Sequence, residues 1–327
     1  MRKVKTLYVP ELYCDPFWQE DIIEQAGERH DLSVYDASKP VAPQFDGVEV
    51  VVDSGGRGTR EMMDAAGDCK LWQIVSNGVD HCDIEYMRRK GFMMTYCPGA
   101  HSGTALAECA MMFMLLLART FNECQEYFQD RKLYAPMVGD VAGKTVLIVG
   151  FGASGQALAR RAKAFDMRVL GIDVRRIGQE IIDDIGPDFM GTTDDDLDRL
   201  LPECDYLSLH LHLHEKTRHI IDARRLGLMK RTACFVNVAR GGLVDEKALH
   251  DALLNGRLAG AGIDVHDPEP TDPNLPAYQL PNVYVSPHVA GETCGTAVKR
   301  HASMVENIDR FAEGREILNR IDEQLPV

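Results

Sequence analysis

The sequence predicts an α/β protein built as two doubly wound parallel-sheet domains with a cleft between them. Three observations carry this expectation. Strand-like and helix-like segments alternate along the whole chain, the pattern of repeated β-α-β units. The strands of the second half are short and continuously apolar, as strands covered by helices on both faces of a sheet are. The 327 residues also exceed what one core usually organises, leaving room for about two.

In order, strand candidates 4–9, 49–53, 71–75 and 93–96 are interleaved with helix candidates near 17–28, 59–66 and 83–90, forming a small first unit. An apolar helix candidate over 102–121 leads to Gly143, where a second series begins. Its strands are read at Val146–Val149, Arg168–Ile172, Tyr206–Leu209, Cys234–Val238, Ala259–Ile263 and Val283–Ser286. A terminal helix from about 294 to 313 is long enough to return the chain to the first unit. The expected organisation is a discontinuous substrate domain, 1–101 plus 290–327, interrupted by a nucleotide domain over 102–289. Small-molecule sites are usually built in the cleft between such domains.

Composition narrows the partners. A net charge of −14 and a pI near 5.2 repel phosphate backbones and anionic lipid, which argues against nucleic-acid and membrane partners. The nine cysteines are scattered, lack a C-x-x-C pair and are odd in number, so a reducing cytoplasm is the expected setting. Met1-Arg2-Lys3-Val4-Lys5 leads straight into a strand without the apolar core of a signal peptide. The most apolar stretch, Ala105–Ala118, contains Glu108 and is too short to span a bilayer. It reads as a buried helix.

Gly150-Phe151-Gly152-Ala153-Ser154-Gly155 follows a strand and opens a helix, and Asp173 closes the next strand. Glycines at those spacings permit close backbone approach to a pyrophosphate, while the helix N-terminus offers unpaired N–H groups and a positive dipole end. Asp173 is placed to accept the adenosine ribose hydroxyls and to repel a 2′-phosphate, favouring NAD over NADP. Arg175 and Arg176 work the other way if Asp173 turns aside.

Three further residues form a chemical set. Arg240 follows the strand ending at Val238, at the carboxyl end where open α/β sheets place ligands, and a guanidinium can hold a carboxylate and the adjacent carbonyl oxygen together. His288, in Ser286-Pro287-His288, is the residue type that moves a proton near neutrality. Glu269, in Asp267-Pro268-Glu269-Pro270, favours the protonated imidazole if the two meet.

On these residues the chain resembles the D-2-hydroxyacid dehydrogenase family, the NAD-dependent group of D-lactate, glycerate, phosphoglycerate and formate dehydrogenases. The resemblance covers nearly the whole chain and rests on Gly150–Gly155 with Asp173, the stretch Asn237–Glu246, Ala261–Val265 leading to Glu269-Pro270, and Ser286-Pro287-His288. It implies two Rossmann-like or flavodoxin-like domains, a homodimer paired through the Met111–Leu117 helix, and reversible hydride transfer between NAD and C2 of a small 2-oxoacid or 2-hydroxyacid. The family's catalytic arginine, glutamate and histidine fall on Arg240, Glu269 and His288. Its nicotinamide-carboxamide aspartate falls on Asp264. The implied cofactor contacts are Thr104, Gly150, Gly152, Ala153, Ser154, Gly155, Asp173, His210, Val238, Ala239, Asp264 and Ala290. Substrate contacts fall on Asn77 and Gly78, with Arg240 and His288. Departures from the family pattern are Ser76-Asn77 for a glycine-containing pair, Ala153 for a longer side chain, Arg131–Pro136 without a tryptophan, and His212 for a proline.

The resemblance also bears on substrate. Asp53 matches a position from which phosphoglycerate dehydrogenases bring an arginine to the substrate phosphate, so an unphosphorylated oxoacid such as glyoxylate or hydroxypyruvate is expected unless Arg57 or Arg60 compensates. Two rival readings remain open. His210, His212 and His214 alternate with leucines, so an extended backbone would face all three one way, as a metal-dependent hydrolase requires. The other is an NAD-sensing scaffold protein of the same family.

Overall fold

The structure, a computed structural model, describes residues 2–321 apart from Leu12, Cys14 and Thr193, and for Asp194 and Asp195 the backbone alone. The chain forms two compact units, 1–101 with 293–327 and 102–292. Both are parallel α/β sheets, as the alternation of apolar strands and helices predicts.

The first unit runs β1 (Lys5–Val9), α1 (Pro16–Ala26), β2 (Asp31–Val34), α2 (Val41–Gln44), β3 (Val50–Asp53), α3 (Arg60–Ala65), β4 (Leu71–Ile74), α4 (Ile84–Lys90) and β5 (Met93–Tyr96), and is joined by the C-terminal helix Cys294–Glu313. Its strand order is β2-β1-β3-β4-β5, parallel throughout. Alternate residues of the same strands feed two cores. Tyr8, Val50 and Val52 pack with α1 and the C-terminal helix, while Leu7, Val9, Val51, Trp72 and Ile74 pack with α3 and α4. Helix starts follow local capping chemistry: Asp15, Thr59, Asp83 and Thr293 each accept a backbone N–H of the first turn.

The second unit begins with α5 (Gly103–Ala118) and α6 (Phe121–Gln129). There follow β6 (Thr145–Val149), α7 (Ala153–Ala164), β7 (Arg168–Ile172), α8 (Gln179–Ile185), β8 (Phe189–Gly191), α9 (Asp194–Leu200) and β9 (Tyr206–Leu209). The unit closes with α10 (Ala223–Leu228), β10 (Cys234–Asn237), α11 (Glu246–Leu254), β11 (Gly260–Ile263) and β12 (Val283–Val285). The seven parallel strands lie in the order β12-β11-β10-β9-β6-β7-β8. Every described strand residue of β6 is buried: Leu147 and Val149 face one core and Val146 and Ile148 the other. The chain leaves β6 toward β7 and β8, then returns to its other flank at β9. That reversal is the topological switch point at which open α/β sheets bind ligands.

Two strands escape the sequence reading, and both are sheet edges. β2 is half-exposed in alternation and β8 has three residues, so neither shows the apolar run that marks an interior strand. Among the described residues no single helix is long and apolar enough to cross a membrane.

Candidate active site

The glycine loop leaves β6 at the switch point. A side chain at Gly155 would place its Cβ 2.1 Å from the Gly150 carbonyl oxygen, so only glycine lets α7 start this close to the strand end. Gly152 caps α7 without any side-chain bond to the first turn, which leaves the N–H groups of the helix start for an anion. The start of α5 packs on the same turn: a Cβ on Gly103 would lie 3.1 Å from the Ala153 carbonyl carbon, and the neighbouring Thr104 is exposed there. His210, just past β9, is bonded to Ser208 Oγ at 3.0 Å and Ser154 Oγ at 3.1 Å. Burial pushes its pKa down to about 3, so this ring is neutral and serves as a hydrogen-bonding wall.

Asp173 stands one residue past β7 with its carboxylate already engaged. Oδ2 accepts the Phe151 N–H at 2.9 Å, and Oδ1 accepts the Arg175 N–H and Nε at 2.9 and 3.0 Å. Arg175 Nη2 completes the pair at 3.0 Å. Burial works to raise the Asp173 pKa, but Arg175 and the backbone donors outweigh it and the net shift is downward. Arg175 therefore sits over Asp173 rather than apart from it. Its side chain is 68 % exposed, so it has room to swing off.

Arg240 is set by the end of β10. The buried Asn237 amide donates to the Arg240 carbonyl at 2.8 Å and its oxygen accepts the Ala239 N–H at 3.1 Å, which braces the turn from Val238 to Arg240. Gly241 follows because a Cβ there would fall 2.1 Å from the His266 carbonyl group; only glycine allows the turn to pack on the 266–267 backbone. That contact brings the Arg240 turn against the segment carrying Glu269. Glu269 Oε1 accepts the His266 N–H at 2.9 Å, and Oε2 meets His288 Nδ1 at 2.8 Å.

His288 is held by a buried carboxylate. Asp264, fully buried one residue past β11, accepts Ser286 Oγ at 2.5 Å, the Val289 N–H at 2.8 Å and the Ala290 N–H at 2.9 Å. Its carbonyl accepts the His288 N–H at 2.8 Å. The turn around Asp264 gives His288 φ +57°, a left-handed conformation uncommon outside glycine, in which asparagine, aspartate and histidine are the more frequent exceptions. The Glu269 hydrogen bond raises the His288 pKa, burial and Arg240 oppose it, and the net shift is upward. Burial raises and His288 lowers the Glu269 pKa, with a net lowering. With Nδ1 facing a carboxylate, Nε2 is the nitrogen left to exchange a proton with a ligand.

The other expected residues lie elsewhere. Asn77 and Gly78 belong to the first unit, on the segment after β4, where Ser76 Oγ donates to the Gly78 carbonyl at 2.6 Å. Asp53 corrects the expectation attached to it. It is buried, accepting the Arg57 and Gly58 N–H groups at 2.7 and 2.9 Å and Trp72 Nε1 at 2.9 Å, and burial lifts its carboxyl to about 6. It organises its own turn and is no outward charge to repel a phosphate. Arg57 and Arg60 are paired with Glu11 at 2.5 Å and Asp83 at 2.6 Å. The three histidines after β9 are not brought together either: the strand ends at Leu209, His210 turns inward and His214 Nδ1 accepts the Lys216 N–H. Among the described residues no group of three is placed to hold a metal ion.

The site thus joins an uncapped helix start, an acidic residue at the next strand end and an arginine-histidine-glutamate set within one unit. These residues fit a dinucleotide by their chemistry: N–H donors of an uncapped helix start suit a pyrophosphate, and a carboxylate at the next strand end suits a ribose diol. Comparison with known proteins agrees. The model of the D-isomer specific 2-hydroxyacid dehydrogenase NAD-binding domain matches residues 111–290, more than half of the chain. This chain belongs to that family. It is 35 % identical to a glyoxylate reductase of Korarchaeum cryptofilum over 81 % of its own length and 80 % of the relative's. It is 34 % identical to a D-3-phosphoglycerate dehydrogenase of Methanocaldococcus jannaschii over 93 % of its length, though it spans 57 % of that longer protein. The structure resembles D-lactate dehydrogenase from Aquifex aeolicus complexed with NAD and lactic acid, with TM-score 0.79, 26 % identity and coverage of 97 % and 98 % of the two chains. The protein is an NAD-dependent oxidoreductase acting on CH–OH groups.

The structure brings the expected Glu269 and His288 into contact with Arg240 nearby, but what sets the three is not in the spacing. The Ser286–Asp264 clasp, the His266 N–H to Glu269 and the Arg175 lid on Asp173 leave no signal in spacing, since each depends on which loop the fold brings alongside.

Proposed function

We propose that this enzyme reduces a small, unphosphorylated 2-oxoacid to its D-2-hydroxyacid, and runs the reverse oxidation, with His288 as the acid–base group. The observation that carries the reading is the 2.8 Å His288 Nδ1–Glu269 Oε2 bond, beside an arginine close enough to oppose His288 protonation. Bound NADH supplies the hydride. Arg240 grips the substrate carboxylate and its carbonyl oxygen through two N–H directions, and meets the negative charge growing on that oxygen. His288 Nε2 delivers a proton to the same oxygen, and Glu269 keeps the imidazolium available by pairing with Nδ1.

The choice of an unphosphorylated substrate is supported by the pairing of Arg57 with Glu11 and of Arg60 with Asp83, and by glyoxylate reductases among the relatives. A panel of 2-oxoacids assayed with NADH tests it. Glyoxylate or hydroxypyruvate should give a higher kcat/KM than 3-phosphohydroxypyruvate, and the opposite ranking would transfer the site to a phosphorylated substrate.

Cofactor preference follows from Asp173. NADH should outperform NADPH by at least about tenfold in kcat/KM, equivalent to about 1.4 kcal/mol. Asp173→Ala should shrink the ratio from both sides, because it removes the ribose acceptor and releases the Arg175 guanidinium for a 2′-phosphate. Equal use of both cofactors by the unmodified enzyme would overturn this assignment.

We also assign α5 and the segment after it to a homodimer interface. Met112 and Phe121 are each 44 % exposed and line one groove with Leu115, Leu116 and Phe165, and exposed apolar patches of this kind mark association surfaces. Light scattering should give twice the 36.4 kDa chain mass, and Met112→Glu with Leu116→Glu should give monomer. Eight described cysteines are free thiols, which supports a reducing compartment.

A further inference from the structure

We propose that His266 is a positioning residue for the reaction: held as an imidazolium between Tyr278 and the Ser286 carbonyl, it ties the Glu269 segment and the His288 turn into one frame. This rests on the reading of Glu269 and His288 as the proton-transfer pair, and it extends that reading to a second ionisable group.

Glu246, at the start of α11, accepts the Tyr278 hydroxyl through Oε1 at 2.5 Å and the Asp267 N–H through Oε2 at 3.2 Å. Burial raises the Glu246 pKa but His266, Tyr278 and the Asp267 N–H outweigh it, so the group is an acceptor only. The single phenolic proton is thus spent on Glu246, and the Tyr278 oxygen faces His266 Nδ1, 2.9 Å away, as an acceptor. On the other side of the ring, Nε2 lies 3.3 Å from the Ser286 carbonyl, which can only accept. A neutral imidazole has one N–H. Both bonds together require two, so the ring is cationic when both are made.

The surroundings suit that charge. The His266 side chain is 8 % exposed, with Glu246 Oε1 3.8 Å from Nδ1. Burial works against its protonation, yet Glu246, the Ser286 carbonyl and Glu269 prevail and the pKa is raised. His250, edge-on to Tyr278 at 4.9 Å, is the other imidazole of the cluster, and burial lowers its pKa. Asp267 turns its carboxylate to Arg218 at 3.2 Å. His288 completes the titratable neighbours through Glu269.

The clamp reaches both members of the pair. The His266 backbone N–H holds Glu269 Oε1 at 2.9 Å, leaving Oε2 for His288. Ring Nε2 holds Ser286, two residues before His288, whose own hydroxyl is bonded to Asp264. When His266 loses its proton, one bond of this hydrogen-bonded chain must fail: a ring bond to Tyr278 or Ser286, or, if the phenol turns its proton to Nδ1, the Tyr278–Glu246 bond. Small misplacements of reacting groups are costly in rate.

The test uses the full chain with histidine labelled by ¹⁵N, assigned through His266→Phe. Two-bond ¹⁵N–¹H correlations should show both His266 nitrogens protonated at about pH 7.5, where an ordinary histidine is neutral. Tyr278→Phe removes one acceptor and should bring the His266 proton loss to lower pH. With NADH and hydroxypyruvate, or the best oxoacid of the panel, the unmodified enzyme should lose activity at high pH in two proton steps. His266→Phe should show one step and a kcat lower by about tenfold, with NADH affinity within twofold. Tyr278→Phe keeps the ring and carries the kinetic test if the phenylalanine variant does not fold. A neutral His266 in the spectrum overturns the proposal, and so does a cationic His266 whose variants keep the unmodified pH profile. Should His288→Asn retain its kcat, the proton-pair reading falls instead, and that result is separate because the spectrum reads His266 without substrate.

Discussion

His288→Asn is expected to lower kcat by about 10²-fold or more, the usual scale for losing a general acid, while NADH still binds. The asparagine keeps a polar group of similar reach and tolerates the left-handed backbone at 288, so the turn around Asp264 should survive. What disappears is the proton. The sign of the pH dependence follows from the raised His288 pKa, caused first by the Glu269 hydrogen bond. Reduction needs the imidazolium, so its rate holds past the ordinary histidine range and falls as pH rises through the raised value. Oxidation needs the neutral ring and shows the opposite limb. Glu269→Gln removes the stabilising carboxylate and should move the reduction limb to lower pH. Steady-state rates in both directions across the neutral range check all of this. Near-normal kcat in His288→Asn would assign the proton to another group.

How much of this was readable before folding depends on whether a feature is local. The glycine loop, the helix it opens and Asp173 lie within one β-α-β unit, and the close packing at Gly155 follows from a spacing that can be counted along the chain. Interior strands such as β6 and β10 announce themselves as apolar runs because both faces are buried. Edge strands β2 and β8 carry no such run. Arg240, Glu269 and His288, the proposed catalytic set, were legible as residue types at strand ends, but their relation was not. Gly241 passing against the His266 carbonyl joins segments 25 residues apart in sequence, and no periodicity encodes that. Asp53 shows the opposite failure. Its position suggested an outward charge, yet Trp72 and two turn amides consume the carboxylate, which sequence order alone does not reveal. The histidine row fails for a similar reason, since alternation implies a shared face only while the backbone stays extended, and the strand stops at Leu209.

Arg240→Lys should reduce kcat/KM for the oxoacid by about 10²- to 10³-fold, the range seen when a donor to a developing oxyanion is removed, or about 3–4 kcal/mol of transition-state stabilisation. The substitution preserves charge and tests geometry. A guanidinium presents N–H groups in a fixed plane, so carboxylate and carbonyl oxygen can be met together, whereas an ammonium is a single point at the end of a flexible stem. Part of the Arg240 plane is already fixed by the protein, through Nη1 to the Ala239 carbonyl at 2.9 Å and through the Asn237 brace on its backbone. A lysine keeps the backbone brace but loses that planar orientation. Charge on the reacting oxygen grows toward the transition state, so the loss should appear in kcat as well as in KM. The His288 limb should shift little, because the cation that opposes its protonation is retained. NADH binding, followed by fluorescence titration, should change far less than turnover. A defect confined to NADH affinity, with kcat preserved at saturating cofactor, would place Arg240 in the cofactor site and leave the oxoacid without its anchor.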